Sequence, residues 1–241
     1  MSKLVFKQLF EAESSTYTYI VGDDVTKEAV IIDPVDLTAA RDAHLIEELG
    51  LDVKYALNTH VHADHITGTH ALREYLPNAK SALSERSGGR ADVYFKQGDH
   101  IRIGGFTLDV LETPGHTDGC VSFYVYGCGI VPLVFTGDAV LIRGCGRTDF
   151  QQGSSEVLYK SIWERIFTLP RETIIYPAHD YKGLTSSSVG EELAYNTRLL
   201  KKKEEFVEVM ANLNLPYPKK IDAALPMNLA DGDVKYVQNS K

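Results

Sequence analysis

Apolar and polar positions along this chain predict many short strands, most of them closed by turn residues. Leu4 to Phe10 alternates weakly and reads as a strand; Thr16 to Val21 is rich in β-branched and aromatic residues before a Gly-Asp-Asp turn. Ala29 to Ile32 ends in Asp33-Pro34, so these three runs form an antiparallel meander buried on at least one face. Asp36 is placed to cap a helix running to Gly50, with Ala40, Leu45, Ile46 and Leu49 on its apolar side. Tyr55-Ala56-Leu57 reads as a buried strand, and Ile66 to Leu76 as a helix closed by Pro77. Ser81 to Gly98 reads as turn-rich. His100 to Leu111 reads as a hairpin with a primed turn at Gly104-Gly105. Val121 to Val125 and Ile130 to Phe135 complete a second set of strands. Residues 154–169 form a predicted helix capped by Ser154/Ser155, with Leu158, Ile162, Ile166 and Phe167 on one face. Glu191 to Leu213 predicts a longer amphipathic helix whose charge run, Lys201 to Glu205, faces solvent. The tail from Pro216 onward is expected to be irregular. Two β-rich sets with interspersed helices imply an α/β fold, a helix/sheet/sheet/helix sandwich, in a single domain over residues 1–241.

Composition narrows the function classes. A chain of 241 residues, 44% hydrophobic and 24% charged, is long enough for one large domain with a real core. Acids outnumber bases 33 to 25, which argues against a nucleic-acid partner, since phosphate contact needs a basic face. No run approaches the length of a membrane span. The N-terminus leads straight into strand-like sequence and shows neither a secretory core nor an Arg/Ser-rich transit peptide. Cys120, Cys128 and Cys145 form no CxxC pair and no even framework, which points to a reducing compartment.

The candidate chemistry sits where apolar runs end. Tyr55-Ala56-Leu57 leads into Thr59-His60-Val61-His62-Ala63-Asp64-His65, with three His and one Asp inside six residues. In extended backbone His60, His62 and Asp64 point one way and His65 the other, so the loop must curl for all four to converge. Imidazole and carboxylate together are the donor set of a borderline divalent metal, and such a cluster repels or desolvates itself without a cation. The pattern repeats: Asp109-Val110-Leu111 precedes His116, Val131 to Phe135 precedes Asp138, and Thr173 to Tyr176 precedes His179. Two arrangements use these letters equally well. His60, His62 and His116 on one ion, Asp64, His65 and His179 on another, with Asp138 bridging, make a binuclear hydrolase. His60, His116 and Asp138 alone make a two-His-one-carboxylate triad suited to non-haem Fe(II) and O2.

The ordered set His-x-His-x-Asp-His at 60–65, His116, Asp138 and His179 resembles the metallo-β-lactamase superfamily over nearly the whole chain. Within it, Asn58 to His65, Thr113-Pro-Gly-His-Thr117, Phe135 to Gln151 and Tyr176-Pro-Ala-His-Asp-Tyr181 resemble the persulfide dioxygenase (ethylmalonic encephalopathy protein) family. That resemblance implies a four-layer αββα sandwich and one Fe(II) per chain on His60, His116 and Asp138. His62, Asp64, His65 and His179 then hold ligands or water by hydrogen bonds. The implied reaction oxidises glutathione persulfide with O2 to sulfite and glutathione, with a zinc glutathione thioester hydrolase of the glyoxalase II type as the alternative. Glyoxalase II relatives carry a helical C-terminal domain, whereas only about sixty residues follow His179 here.

Glutathione is anionic and the chain acidic, so the pocket needs cations; Arg143, Arg147, Lys182 and Arg198 are candidates. In the family, positions matching Arg147, Tyr181 and Arg198 line the substrate region. Arg147 is also placed to pair with Asp149 or Asp180. Cys145, flanked by glycines and near arginines, is a candidate for a lowered thiol pKa and a sulfur-relay role, against the alternative of a small buried filler. Cys120 and Cys128 read as core. Where the family usually has Asn-Pro-Arg-Leu, this chain has Asn196-Thr197-Arg198-Leu199, so the helix is expected to run on unbroken. Dimers are common in the family, and the compartment implied is the mitochondrial matrix for a eukaryotic source and the cytoplasm otherwise.

Overall fold

Strand β1 (Leu4–Glu11) pairs antiparallel with β2 (Thr16–Asp23), and β2 with β3 (Glu28–Ile32). Three parallel partners follow, β4 (Asp52–Leu57), β5 (Lys80–Ser84) and β6 (Val93–Phe95), giving a six-stranded sheet in sequence order. The second sheet runs from β7 (His100–Ile103) through β8 (Phe106–Glu112), β9 (Val121–Gly127) and β10 (Leu133–Gly137) to β11 (Ile174–Pro177) and β12 (Ser187–Ser188). Only β10 and β11 are parallel in it. This computed structural model describes residues 1–239.

The period of two along each strand builds the layers. In β2, Tyr19 and Val21 face the other sheet with Val30, Ile32, Leu57, Leu108, Phe123 and Phe135, while Ile20 joins Ile31, Ala56 and Ile46 beneath α1 (Ala39–Glu48). On the far side, Val134 and Ile175 pack against α3 (Ser155–Ser161), α4 (Val189–Tyr195) and α5 (Lys203–Ala211) through Leu158, Val189 and Phe206, joined by Leu199 from the turn between α4 and α5. Helix, sheet, sheet and helix therefore stack in the four-layer order expected. Each fully buried Ile or Leu in these layers contributes about 1.5–3 kcal/mol. Among the described residues no helix is long and apolar enough to cross a membrane.

Several elements differ from expectation. Asp36 opens a 3-10 turn, Asp36–Thr38, and its carboxylate accepts from Leu37 N at 2.8 Å rather than capping α1. The 66–76 helix shrinks to α2 (Thr69–Leu72), because Thr67 is taken into a bridge with Val35. Ser81 to Gly98 holds β5 and β6; β5 is buried between two parallel neighbours, so it lacks the alternation that marks a half-exposed strand. The 154–169 helix, capped by Ser154, passes into a π-helical turn at Ile162–Ile166. The long 191–213 helix is broken: Asn196 leaves helical space at ψ 90. Its Oδ1 accepts from Arg198 N and Leu199 N at 3.3 and 3.0 Å, and its Nδ2 donates to Glu192 Oε2 and Gly144 O. The asparagine side chain thus ends the helix that the missing proline was expected to leave intact. The tail is not irregular; it forms α6 (Ile221–Leu229) and α7 (Val234–Asn239). Cys128 is exposed in the turn after β9, not core.

Candidate metal centre

Four strand ends converge on one cleft. Leaving β4, residues Asn58 to His65 curl; the turn after β8 carries His116; Asp138 directly follows β10, and His179 follows its parallel neighbour β11. One donor atom each from His60, His116 and Asp138 lie within 4.8 Å of one another, and so do those of His62, Asp64 and His65. The grouping differs from the binuclear partition: His60 and His116 gather with Asp138, His62 falls with Asp64 and His65, and His179 belongs to neither group. His179 lies between, with Nε2 3.3 Å from Asp64 and 3.7 Å from Asp138.

A buried residue that the sequence reading passed over fixes the tautomers. Asp33, 1% exposed, accepts from Thr59 N at 2.7 Å and from Thr59 Oγ1 at 2.9 Å. The only hydroxyl proton of Thr59 is thereby used, so His60 Nδ1–H donates to Thr59 Oγ1 at 3.0 Å and leaves the Nε2 lone pair free. His116 reaches the same state by another route: its Nδ1–H donates to the Arg147 carbonyl at 2.6 Å. His62 Nε2–H donates to Asp33 Oδ1 at 3.0 Å, and His65 Nδ1–H to Asp64 Oδ2 at 2.9 Å. Asp33 follows the apolar run 29–32, so the same strand-end rule that singled out Asp138 would have found it.

Charge follows this wiring. Burial, then the neighbouring His62 and His116, holds the His60 pKa well below the ordinary imidazole value, so it is a neutral donor. Burial also lowers His65, against the pull of Asp64. Burial pushes His62 down too, but the Asp33 carboxylate outweighs it and the net shift is upward. His179 is likewise raised, the Asp64 and Asp138 charges overcoming burial. Asp64 lies well below the carboxylate range, its desolvation outweighed by His179 and His65.

The donors fit a metal ion. His62 Nδ1, His65 Nε2 and Asp138 Oδ1 are buried with no hydrogen-bond partner among the described residues, and all turn into this cleft. Orphan acceptors of this kind cost about 1–3 kcal/mol each unless a cation or an ordered water satisfies them.

The substrate-region candidates fare unequally. Arg147 is held by both oxygens of Asp149 at 2.7 Å, donates to Pro216 O at 2.9 Å and stacks on Phe150. Arg198 is half-buried and donates to Cys145 O at 3.1 Å. Tyr181, 72% exposed, lies parallel to the His179 ring with centroids 6.0 Å apart at the cleft mouth. Arg143 is spent on Glu191 and the fully buried Glu192. Of the two alternatives for Cys145, the structure favours the small buried filler over a lowered thiol: Cys145 is 4% exposed against Met210, and burial pushes its pKa up to about 11. The cavity beside Asp149, lined also by Glu156, Ser154, Met210 and Leu213, carries carboxylates and does not suit an anion.

The metallo-β-lactamase superfamily profile matches residues 12–179. The mitochondrial persulfide dioxygenase ETHE1 of Mus musculus is 56% identical over 229 residues, covering 95% of this chain and 89% of the relative. The crystal structure of ETHE1 from Myxococcus xanthus superposes with a TM-score of 0.89 at 50% identity, covering 95% of this chain and 99% of that one. A hydroxyacylglutathione hydrolase of Prochlorococcus marinus is more distant, 35% identical over 210 residues, covering 84% of this chain and 81% of the relative. The chain belongs to the metallo-β-lactamase superfamily and, within it, to the persulfide dioxygenase family.

Proposed function

We propose that this chain oxidises glutathione persulfide with O2, using a single Fe(II) on His60, His116 and Asp138. The observation that carries the siting is the gathering of His60 and His116, each with a free Nε2 lone pair, with Asp138, whose Oδ1 has no hydrogen-bond partner; the likeness to persulfide dioxygenases supports iron as the ion. Fe(II) on such a triad supplies redox chemistry toward O2 and a Lewis-acid contact for a sulfur anion. In the balanced reaction the persulfide, O2 and water give glutathione, sulfite and protons, the terminal sulfur being the electron donor. The protein's part is placement. Asp33 and Thr59 aim His60, the Arg147 carbonyl aims His116, and His179, whose Nδ1–H donates to Ser15 O at 3.2 Å, presents Nε2 beside Asp64 and Asp138. Arg198, Arg147 and Tyr181 border the cleft where the glutathione moiety would lie. Cys145, kept as a thiol by burial, serves as packing rather than as a relay. Three free cysteines accord with a reducing compartment, the mitochondrial matrix if the source is eukaryotic.

The test is element analysis of protein purified without added metal, together with O2 uptake on glutathione persulfide. One iron per chain and stoichiometric sulfite are expected. Two zinc ions per chain, thiol release from S-lactoylglutathione and no O2 uptake would establish the hydrolase instead. That second reading draws on the His62, Asp64 and His65 group.

Two variants sharpen the choice. His179→Ala should retain its one iron, since His179 belongs to neither donor group; loss of a metal equivalent would mean two ions are bound. Arg147→Ala keeps the backbone carbonyl that orients His116, so iron content should hold while KM for the persulfide rises about tenfold, the worth of one charged contact. Unchanged steady-state kinetics would remove Arg147 from the substrate contacts.

A further inference from the structure

The metal-bearing loop is tied from behind by a helix outside the stretch that matches the superfamily profile. Asn228, 3% exposed near the end of α6, spends its whole amide on that loop. Its Nδ2 donates to His62 O at 2.8 Å and His65 O at 2.7 Å, and its Oδ1 accepts from Thr67 N at 2.9 Å. A primary amide has two donor hydrogens, and both are used here. The residues that follow seal the contact. Thr69 Oγ1 donates to Asp231 O at 3.0 Å, and Arg73 and Ser81 hold the Asp231 carboxylate at 2.7 and 2.9 Å. Gly232, at φ +78, lies so close that a Cβ there would meet Thr67 O at 2.7 Å.

We infer that Asn228 is a positioning residue of the metal centre: it fixes the curl of residues 62–67 and thereby where His62, Asp64 and His65 stand beside the His60, His116 and Asp138 group. The curl demanded by the spacing of the motif leaves the His62 and His65 carbonyls without a strand or helix partner. One buried asparagine satisfies both and so selects this curl over others. The His62 ring sits 4.0 Å from that of His60 and 4.3 Å from that of His65, so a change in loop shape reaches both donor groups. The inference rests on the reading that these groups hold a metal ion.

The test is titration of the metal-free protein with Co(II) against a competing chelator, reading the dissociation constant and the visible ligand-field spectrum. Asn228→Ala should weaken Co(II) binding by about 10-fold or more and alter the spectrum, as loss of a supporting hydrogen-bond partner does. Asn228→Asp is nearly isosteric and can still accept from Thr67 N, but it faces two carbonyls with no donor; it should weaken binding at least as much. Ile221→Ala loosens α6 without touching the loop, and should lower thermal stability while keeping the wild-type constant and spectrum. Asn228→Ala and Asn228→Asp binding Co(II) like the wild type would overturn the positioning role alone, as would an equal loss in Ile221→Ala. A wild-type chain that takes up no Co(II) would overturn the metal reading itself.

Discussion

Asp138→Ala should yield a folded protein that no longer retains metal. Asp138 is the only anion among the first group of donors, and without it two neutral imidazoles remain. Loss of a supporting partner alone costs about 10–100-fold in metal affinity, so loss of the charged ligand should exceed that. The stability consequence has the opposite sign. Asp138 Oδ1 is buried without a partner, so the metal-free protein bears an unsatisfied charge that the variant lacks. The metal-free variant should therefore melt no lower than metal-free wild type, while added metal should raise the melting temperature of the wild type only. Element analysis and paired thermal melts check both halves. A variant with full metal content would refute the assignment of Asp138 as a ligand.

Gly146→Ala should disable the same centre without touching a donor atom. A Cβ at Gly146 would lie 2.4 Å from Asp138 O and 3.0 Å from both Asp138 Cβ and His116 Nδ1. The nearest of these is backbone, and Gly146 N itself donates to Asp138 O at 2.8 Å, so the methyl has no flexible neighbour to displace. Either Asp138 or the His116 ring must move. The overpacking should cost about 1–3 kcal/mol of stability, and metal affinity should fall about 10–100-fold. Gly144→Ala is the matched control: nothing lies within 4 Å of its Cβ position, so metal content should be unchanged. Equal behaviour of the two variants would show that the close approach at Gly146 is immaterial.

The strand ends were readable because chemistry there follows a visible event, an apolar run stopping at a polar cluster. His60, His116, Asp138 and His179 all obey that rule, and Asp33 obeys it too. What periodicity cannot see is a side chain that bonds to backbone. Asn196 ends a helix, and Asn228 grips a loop, through amide contacts that leave no pattern of spacing behind. For the same reason the segment after Pro216, polar and punctuated by prolines, read as irregular although α6 packs on the metal loop. β5 was lost for a different cause: a strand buried on both faces and built from Ser and Ala shows neither alternation nor β-branched residues. The fate of Arg143 was hidden as well, because the sequence shows that carboxylates are available but not which of them an arginine meets; Arg147, by contrast, meets Asp149, one of the two carboxylates its position in the sequence suggests.

His60 hangs from one sheet, whereas Asp138 and His179 hang from the other. A chain emerging from synthesis exposes the 60–65 stretch long before the remaining ligands exist. On the proposed assignment, an ion shared by His60, His116 and Asp138 cannot be grasped until the second sheet has closed upon the first, so its loading is a late step that reports a finished sandwich rather than one that starts its assembly.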